Sequence, residues 1–429
     1  MSETHVSTSA RHVALEAIRR VIDEGAYSNR LIPALLERSG LDERDRAFAS
    51  ELAYGTLRHR VALDHAIAIG ANRPVARISP GAQHTLRLGA YQLLIAGVAA
   101  HAAVGETVAL ATARERGFVN AVLRRLAVSP PSPPPGEDDD AVALRTGLGR
   151  WAVRELRHLL GDEAEEAAAA FAARAPLCLR ANGDPAALAA VLRDAGREVS
   201  IGEVDGSCLL VEGGDPARLP GFEDGSFGIQ DQASVFVVRT LGALPGDHVA
   251  DVCAAPGGKA VFAATLVGSE GCVVAADVHE RRVSRASREA TRQHAALHIL
   301  VQDATSPALA QGAFDQVLVD APCSGVGSAR RRPELLWRVP KDALTRLAAR
   351  QLAIAIAATD LVRPGGRLVY SVCTFPRVET DAVADLLERR TDLRPVITPG
   401  PDGDRERHRL WPHRHGADGM FVAAFERAS

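Results

Sequence analysis

From Gly228 onward the chain alternates short apolar runs with helix-length stretches. The runs lie at 249–253, 273–277, 298–303, 316–320 and 367–371, and acidic residues or cysteines stand at or just past their ends: Cys253, Asp277, Asp303, Asp320 and Cys373. Runs of this length, separated by helices, form a doubly wound parallel sheet. Such sheets bind ligands beyond the carboxyl ends of their strands, so these five side chains are expected to line one crevice.

The first run breaks into Ala254, Ala255, Pro256, Gly257, Gly258 and Lys259 before a helical stretch that ends near Leu266. A glycine turn opening a helix after a strand is a nucleotide-cofactor signal, because the first helical amides point outward unpaired. The turn lacks the Gly-x-Gly-x-x-Gly spacing of dinucleotide sites. Asp277 is placed to accept from ribose hydroxyls and Asp303 from an adenine amino group, so a mononucleoside-like cofactor is expected. The chain has many arginines but only two lysines, Lys259 and Lys341. A lysine kept inside the turn points to a need for a compact, rotatable ammonium.

Cys323 and Cys373 each follow an apolar run, which places paired thiols at one site. The other four cysteines, Cys178, Cys208, Cys253 and Cys272, are widely spaced with no Cys-x-x-Cys, so neither a zinc site nor a disulfide framework is expected. No apolar run approaches the ~18 residues of a membrane span, and the first residues carry no basic-then-apolar leader pattern. A cytoplasmic protein without membrane or metal is expected. A formal charge of −3 gives no global attraction to nucleic acid, so any such contact must come from local patches.

With 429 residues the chain exceeds one core. Helical spacing in Ala14, Leu15, Ile18, Val21, Ile22 and in Leu86, Leu88, Tyr91, Leu94, Ile95 reads as an all-α domain over 8–128. Prolines and an acidic run make 129–141 a linker. Residues 142–227 read as a helical segment at 148–173 followed by a small α/β (RRM-like) subdomain, with strands at 177–180, 199–201 and 208–211 and a helix at 186–195. The doubly wound domain is 228–429.

The segment from Cys253 to Lys259 resembles the cofactor motif of S-adenosylmethionine-dependent RNA cytosine-5 methyltransferases, the group that includes the Nop2/Sun proteins. The likeness continues through 228–234, through Asp320-Ala321-Pro322-Cys323 with Arg331, Arg332, Pro333, Glu334 and Trp337, and through 370–374 and 418–423. The first domain is similar to the NusB-type RNA-binding domain, including 118–124. The resemblance implies S-adenosylmethionine held by residues 253–259, Asp277, Asp303 and Asp320. It also implies a cytosine in RNA, small-subunit ribosomal RNA first, with Cys373 attacking C6, Cys323 assisting release and Asp320 bonding the N3 edge.

A thiolate suits this chemistry, being strongly nucleophilic and able to leave. The chain departs from the family pattern where Val372 precedes the nucleophile and Thr380 follows Glu379. Two other readings stand beside it: a noncatalytic RNA-binding or assembly factor, and a DNA cytosine-5 methyltransferase attacking through Cys323. Phosphate contacts are expected from Arg330, Arg331 and Arg332 and from Arg19, Arg20, Arg58, Arg60, Arg124 and Arg125. No partner that activates Cys373 is evident.

Overall fold

The structure, a computed structural model, describes residues 9–132 and 134–428. It divides into two compact units, one of residues up to Arg174 together with Ala329–Arg338, the other of Ala175–Ser328 with Val339–Ser429. This division differs from the segmentation expected above. The helices Asp139–Thr146, Arg150–Leu160 and Ala164–Ala172 join the N-terminal helices and leave the small α/β part in the second unit.

The first unit is all helical. Seven helices from Ala10–Asp23 to Arg116–Val128 converge on Ile18, Leu52, Leu57, Ile67, Leu86 and Leu123, each essentially inaccessible. Spacing of three and four residues between apolar positions gives each helix one buried stripe. The excursion Ala329–Arg338 is part of this unit. Trp337 packs on its core and donates from Nε1 to Leu57 O at 3.1 Å. Glu334, fully buried, accepts from Ser28 N at 3.1 Å and Ser28 Oγ at 2.6 Å. Arg338 donates to the carbonyls of Val21, Gly25 and Ala26, which end the first helix.

The second unit holds two sheets. In the smaller, β1 (Leu177–Ala181), β2 (Val199–Ile201), β3 (Cys208–Val211) and β4 (Phe227–Ile229) run antiparallel in the order β2-β3-β1-β4. Helix Pro185–Asp194 covers one face over Leu179, Leu209 and Phe227. On the other face Cys178 and Cys208 join the core of helices Gln232–Leu241 and Gly258–Val267. Arg180, 1% exposed, stacks over Phe262 and donates to Gln230, Asn182 and Gln293. An RNA-recognition sheet keeps that face free for stacking bases; here it is closed.

The larger sheet contains β5 (His248–Asp251), β6 (Cys272–Asp277), β7 (His298–Val301), β8 (Phe314–Asp320), β9 (Val362–Val372), β10 (Leu393–Pro395), β11 (Arg407–Leu410) and β12 (Met420–Arg427). Their order is β10-β12-β9-β8-β5-β6-β7, with β11 paired to β12. The five strands from β7 to β9 are parallel, while β12 joins β9 antiparallel. The chain runs β5, β6, β7 to one side and resumes with β8 on the other side of β5. The switch point therefore lies between β5 and β8, where a crevice opens at the carboxyl ends.

Candidate active site

Every residue singled out at the strand ends lies along that carboxyl edge. Cys253 sits two residues past β5, Asp277 closes β6, Asp303 sits two past β7, Asp320 closes β8 and Cys373 follows β9 directly. Between β5 and its helix, Ala254 is buried, Ala255 and Gly258 are partly open and Pro256 is exposed. Gly257 has φ +115°, and a Cβ there would meet Ala286 Cβ at 2.3 Å, so only glycine fits. At Gly258 a Cβ would meet nothing within 4 Å.

The helix Gly258–Val267 starts without a side-chain cap, leaving its first amides toward that open space. Asp277, nearly buried, accepts from His279 N at 2.9 Å and faces Arg282 Nη1 at 3.8 Å. Arg282 also donates to Ala255 O at 3.2 Å, tying the turn to the acidic strand end. Asp303 is exposed, and hydrogen bonds from Thr305 hold its carboxyl below the usual range. An open cradle of uncapped amides flanked by two carboxylates fits an adenosyl group with an amino-acid tail.

At the other end of the crevice, Cys323 Sγ and Cys373 Sγ are 3.4 Å apart, both free thiols. The backbone fixes their turns. Gly327 N donates to Cys373 O at 3.1 Å and Gly419 N donates to Gly327 O at 2.8 Å, so the C-terminal turn before β12 pins the loop after Cys323. Lys259 Nζ donates to Asp320 Oδ2 at 2.7 Å, and Ser371 Oγ donates to Oδ1 at 2.9 Å. Burial alone would pull the Lys259 ammonium down, but the charge and hydrogen bond of Asp320, joined by Cys373 and Asp251, hold it above its ordinary value.

Lys259 thus carries positive charge that is felt at Cys373, a neighbour that the sequence did not reveal. Beneath the pair, Asp251 is pushed up to about 8 by burial and by Asp320, with Lys259 opposing. Cys323 is held well above the ordinary thiol value by its hydrogen bond to Cys373, by burial and by the charges of Cys373, Glu379 and Asp320. Burial also pushes the Cys253 thiol up, which makes it a protonated wall of the crevice.

Among the arginines expected to meet phosphate, several are structural. Arg58 is 7% exposed and donates to Arg330 O, Arg330 is itself buried, and Arg60 stacks on the Trp337 ring at 4.1 Å. Arg19 and Arg20 pair with Glu16 and Glu24, and Arg125 donates to Gly70 O. Arg124 is exposed and bonded only locally, to Asn120. Arginines adjacent in sequence are read as surface charge unless something shows what they stack on. Residue spacing missed Arg282 and Glu379 as well.

No helix among the described residues is long and apolar enough to cross a membrane. Among them, no group of His, Cys, Asp and Glu is arranged to hold a metal ion. The switch-point cradle and its acidic strand ends make a nucleoside-cofactor site. A family model described as 16S rRNA methyltransferase RsmB/F matches residues 238–426, and one described as the NusB family matches 8–128. The first match makes the chain an S-adenosylmethionine-dependent methyltransferase.

Ribosomal RNA small subunit methyltransferase B of Thermus thermophilus is 36% identical, covering 96% of this chain and 96% of its own. The Pseudomonas putida protein of the same name is 32% identical, covering 96% and 97%. The chain belongs to this RsmB/F methyltransferase family, with a NusB domain ahead of the catalytic part. In fold it is similar to the crystal structure of PH0851, with TM-score 0.82 and 23% identity over 99% of this chain and 100% of that one.

Proposed function

We propose that the protein methylates C5 of a cytosine in small-subunit ribosomal RNA through a transient bond between Cys373 and C6. The observation that carries this is the 3.4 Å thiol pair beside a lysine–aspartate pair at one end of a cofactor crevice. Relatives named for small-subunit ribosomal RNA support the substrate class. The exposed Arg124 and others of the helical unit are available to phosphates.

Carbon 5 of cytosine is too weak a nucleophile to take a methyl group unaided. Cys373 adds as thiolate to C6, and the electron pair moves onto C5 and toward N3. The nearby ammonium of Lys259 lowers the cost of that thiolate. Asp320, aligned by Lys259 and Ser371, would hydrogen-bond the N3 edge through a shared proton, favouring protonation where negative charge develops. S-adenosylmethionine supplies the methyl group as an electrophile on a sulfonium sulfur. Cys323, once it has given up its own proton to solvent, takes the C5 proton as a thiolate, the C–H electron pair re-forms the C5–C6 double bond and Cys373 leaves as thiolate.

The division of roles follows charge. Cys323 is held protonated at rest by its hydrogen bond to Cys373 and by burial, with the charges of Glu379 and Asp320 adding to both, which makes it a strong base once ionised, whereas an attacking group needs the opposite surroundings. This disfavours attack through Cys323, the arrangement of a DNA-type enzyme. Reaching C5 requires an unstacked base at a cost of about a few kcal/mol, least in a loop, so loop RNA is the expected target.

The test is methyl transfer from labelled S-adenosylmethionine to ribosomal RNA and to DNA of matched sequence. Wild type is expected to label RNA, Cys373→Ala to label nothing, and Cys323→Ala to accumulate a covalent protein–RNA adduct on a denaturing gel. Equal transfer by wild type and Cys373→Ala would refute the covalent route.

A further inference from the structure

Behind the two sulfurs lies a buried polar cluster with no part in the chemistry above. Ser324, which follows Cys323, donates its amide to Glu379 Oε1 at 2.9 Å and its hydroxyl to Glu379 Oε2 at 2.5 Å. Thr374, which follows Cys373, meets Ser324 Oγ at 2.7 Å and also bonds Glu379. Gln351 donates to Glu379 Oε1 at 2.9 Å and to Pro322 O at 3.1 Å. Tyr370 donates to the Glu379 carbonyl at 2.7 Å. Glu379, Gln351 and Tyr370 are fully inaccessible.

A buried carboxylate is costly unless its oxygens are satisfied, and an apolar side chain would fill the space more cheaply. Here the donors come from the residues immediately after both cysteines. We propose that Glu379 is a positioning residue that straps the Cys323 and Cys373 turns together and sets the spacing of their sulfurs, an inference that rests on the two-thiol reading above. Its charge has a second effect. Glu379 is bonded to the residue after Cys323 while Lys259 is bonded to Asp320 across the crevice, so opposite charges flank two otherwise similar thiols.

The spacing can be measured without turnover. Dithiodipyridine reacts with one thiol to form a mixed disulfide and release one thiopyridone. The neighbouring thiol then displaces the second thiopyridone, closing a Cys323–Cys373 disulfide, and the rate of that closure reports sulfur proximity. In the full chain, Glu379→Ala is expected to slow closure about 10-fold or more and to lower kcat about 100-fold, with KM for RNA and affinity for S-adenosylmethionine near wild type. Glu379→Gln, which keeps the shape and loses the charge, is expected to close at a rate within about threefold of wild type while the acidic limb of its pH–rate profile, set by ionisation of Cys323, moves to lower pH.

If Cys373→Ala is inactive while Glu379→Ala closes and turns over like wild type, the positioning role is wrong and the two-thiol reading stands. If Cys373→Ala is as active as wild type, that reading fails whatever Glu379 does. Should Glu379→Ala not fold, Ser324→Ala and Glu379→Gln decide. Closure and pH profile unchanged in both would reduce Glu379 to a structural residue and overturn the proposal.

Discussion

Gly327 carries no side chain because the loop between the two cysteine turns leaves no room for one. A methyl group there would lie 2.0 Å from Gly419 O, 2.8 Å from Gly419 C and 2.9 Å from Cys373 C. All three are backbone atoms, so no rotamer change relieves the contact. Reaching an ordinary carbon–oxygen separation of about 3.3 Å requires the strands to part by roughly 1.3 Å. That movement breaks at least one of the two hydrogen bonds through which Gly327 joins Cys373 to Gly419.

A buried partner left unpaired costs about 1–3 kcal/mol and residual overpacking about 1–3 kcal/mol, so Gly327→Ala is expected to destabilise the catalytic unit by about 2–6 kcal/mol. For a unit of roughly 250 residues this is a fall in Tm of about 5–15 °C, read by calorimetry of the full chain. Gly258→Ala is the control. Its methyl group enters empty space, so Tm without cofactor is expected within about 2 °C of wild type while S-adenosylmethionine affinity falls. A Gly327→Ala protein with wild-type Tm and full methyl transfer would refute the steric reasoning.

Lys259→Met leaves Asp320 without its ammonium and is expected to cut methyl transfer about 100-fold; Lys259→Arg is not expected to restore it, because a planar fork cannot replace a compact charge. Wild-type rates in Lys259→Met would remove Lys259 from the thiol site, and in Lys259→Arg would refute the need for a compact charge. Asp251 binds a proton in the folded protein up to about pH 8 but releases it near 3.8 when unfolded, so its contribution to stability declines as pH rises between those values. Asp251→Asn is therefore expected to gain on wild type in denaturant midpoint from about pH 5 to about pH 8, and parallel curves would exclude the shift. Arg338→Ala frees the carbonyls of Val21, Gly25 and Ala26 and is expected to cost the helical unit about 1–3 kcal/mol, visible as a lower Tm.

What the sequence reveals here depends on where a residue's partners lie. The five parallel strands were legible because each apolar run is local, and the site residues beyond them followed from the geometry of such sheets. The first three strands of the small sheet were legible for the same reason. β4 was missed because its three residues are too few to show a period, and the antiparallel β12 because a fully buried apolar run carries no sign of strand direction. Lys259 was read as part of a cofactor turn. Its ammonium also reaches Asp320, 61 residues away in the chain, a contact that exists only because β5 and β8 are neighbours. Glu379 is 55 residues from the serine it holds, and Arg60 stacks on a tryptophan that returns to the helical unit from deep within the catalytic sequence. A charge takes its function from what stands opposite it, and in this chain the charges that tell one thiol from the other come from opposite sides of a switch point that exists only after folding.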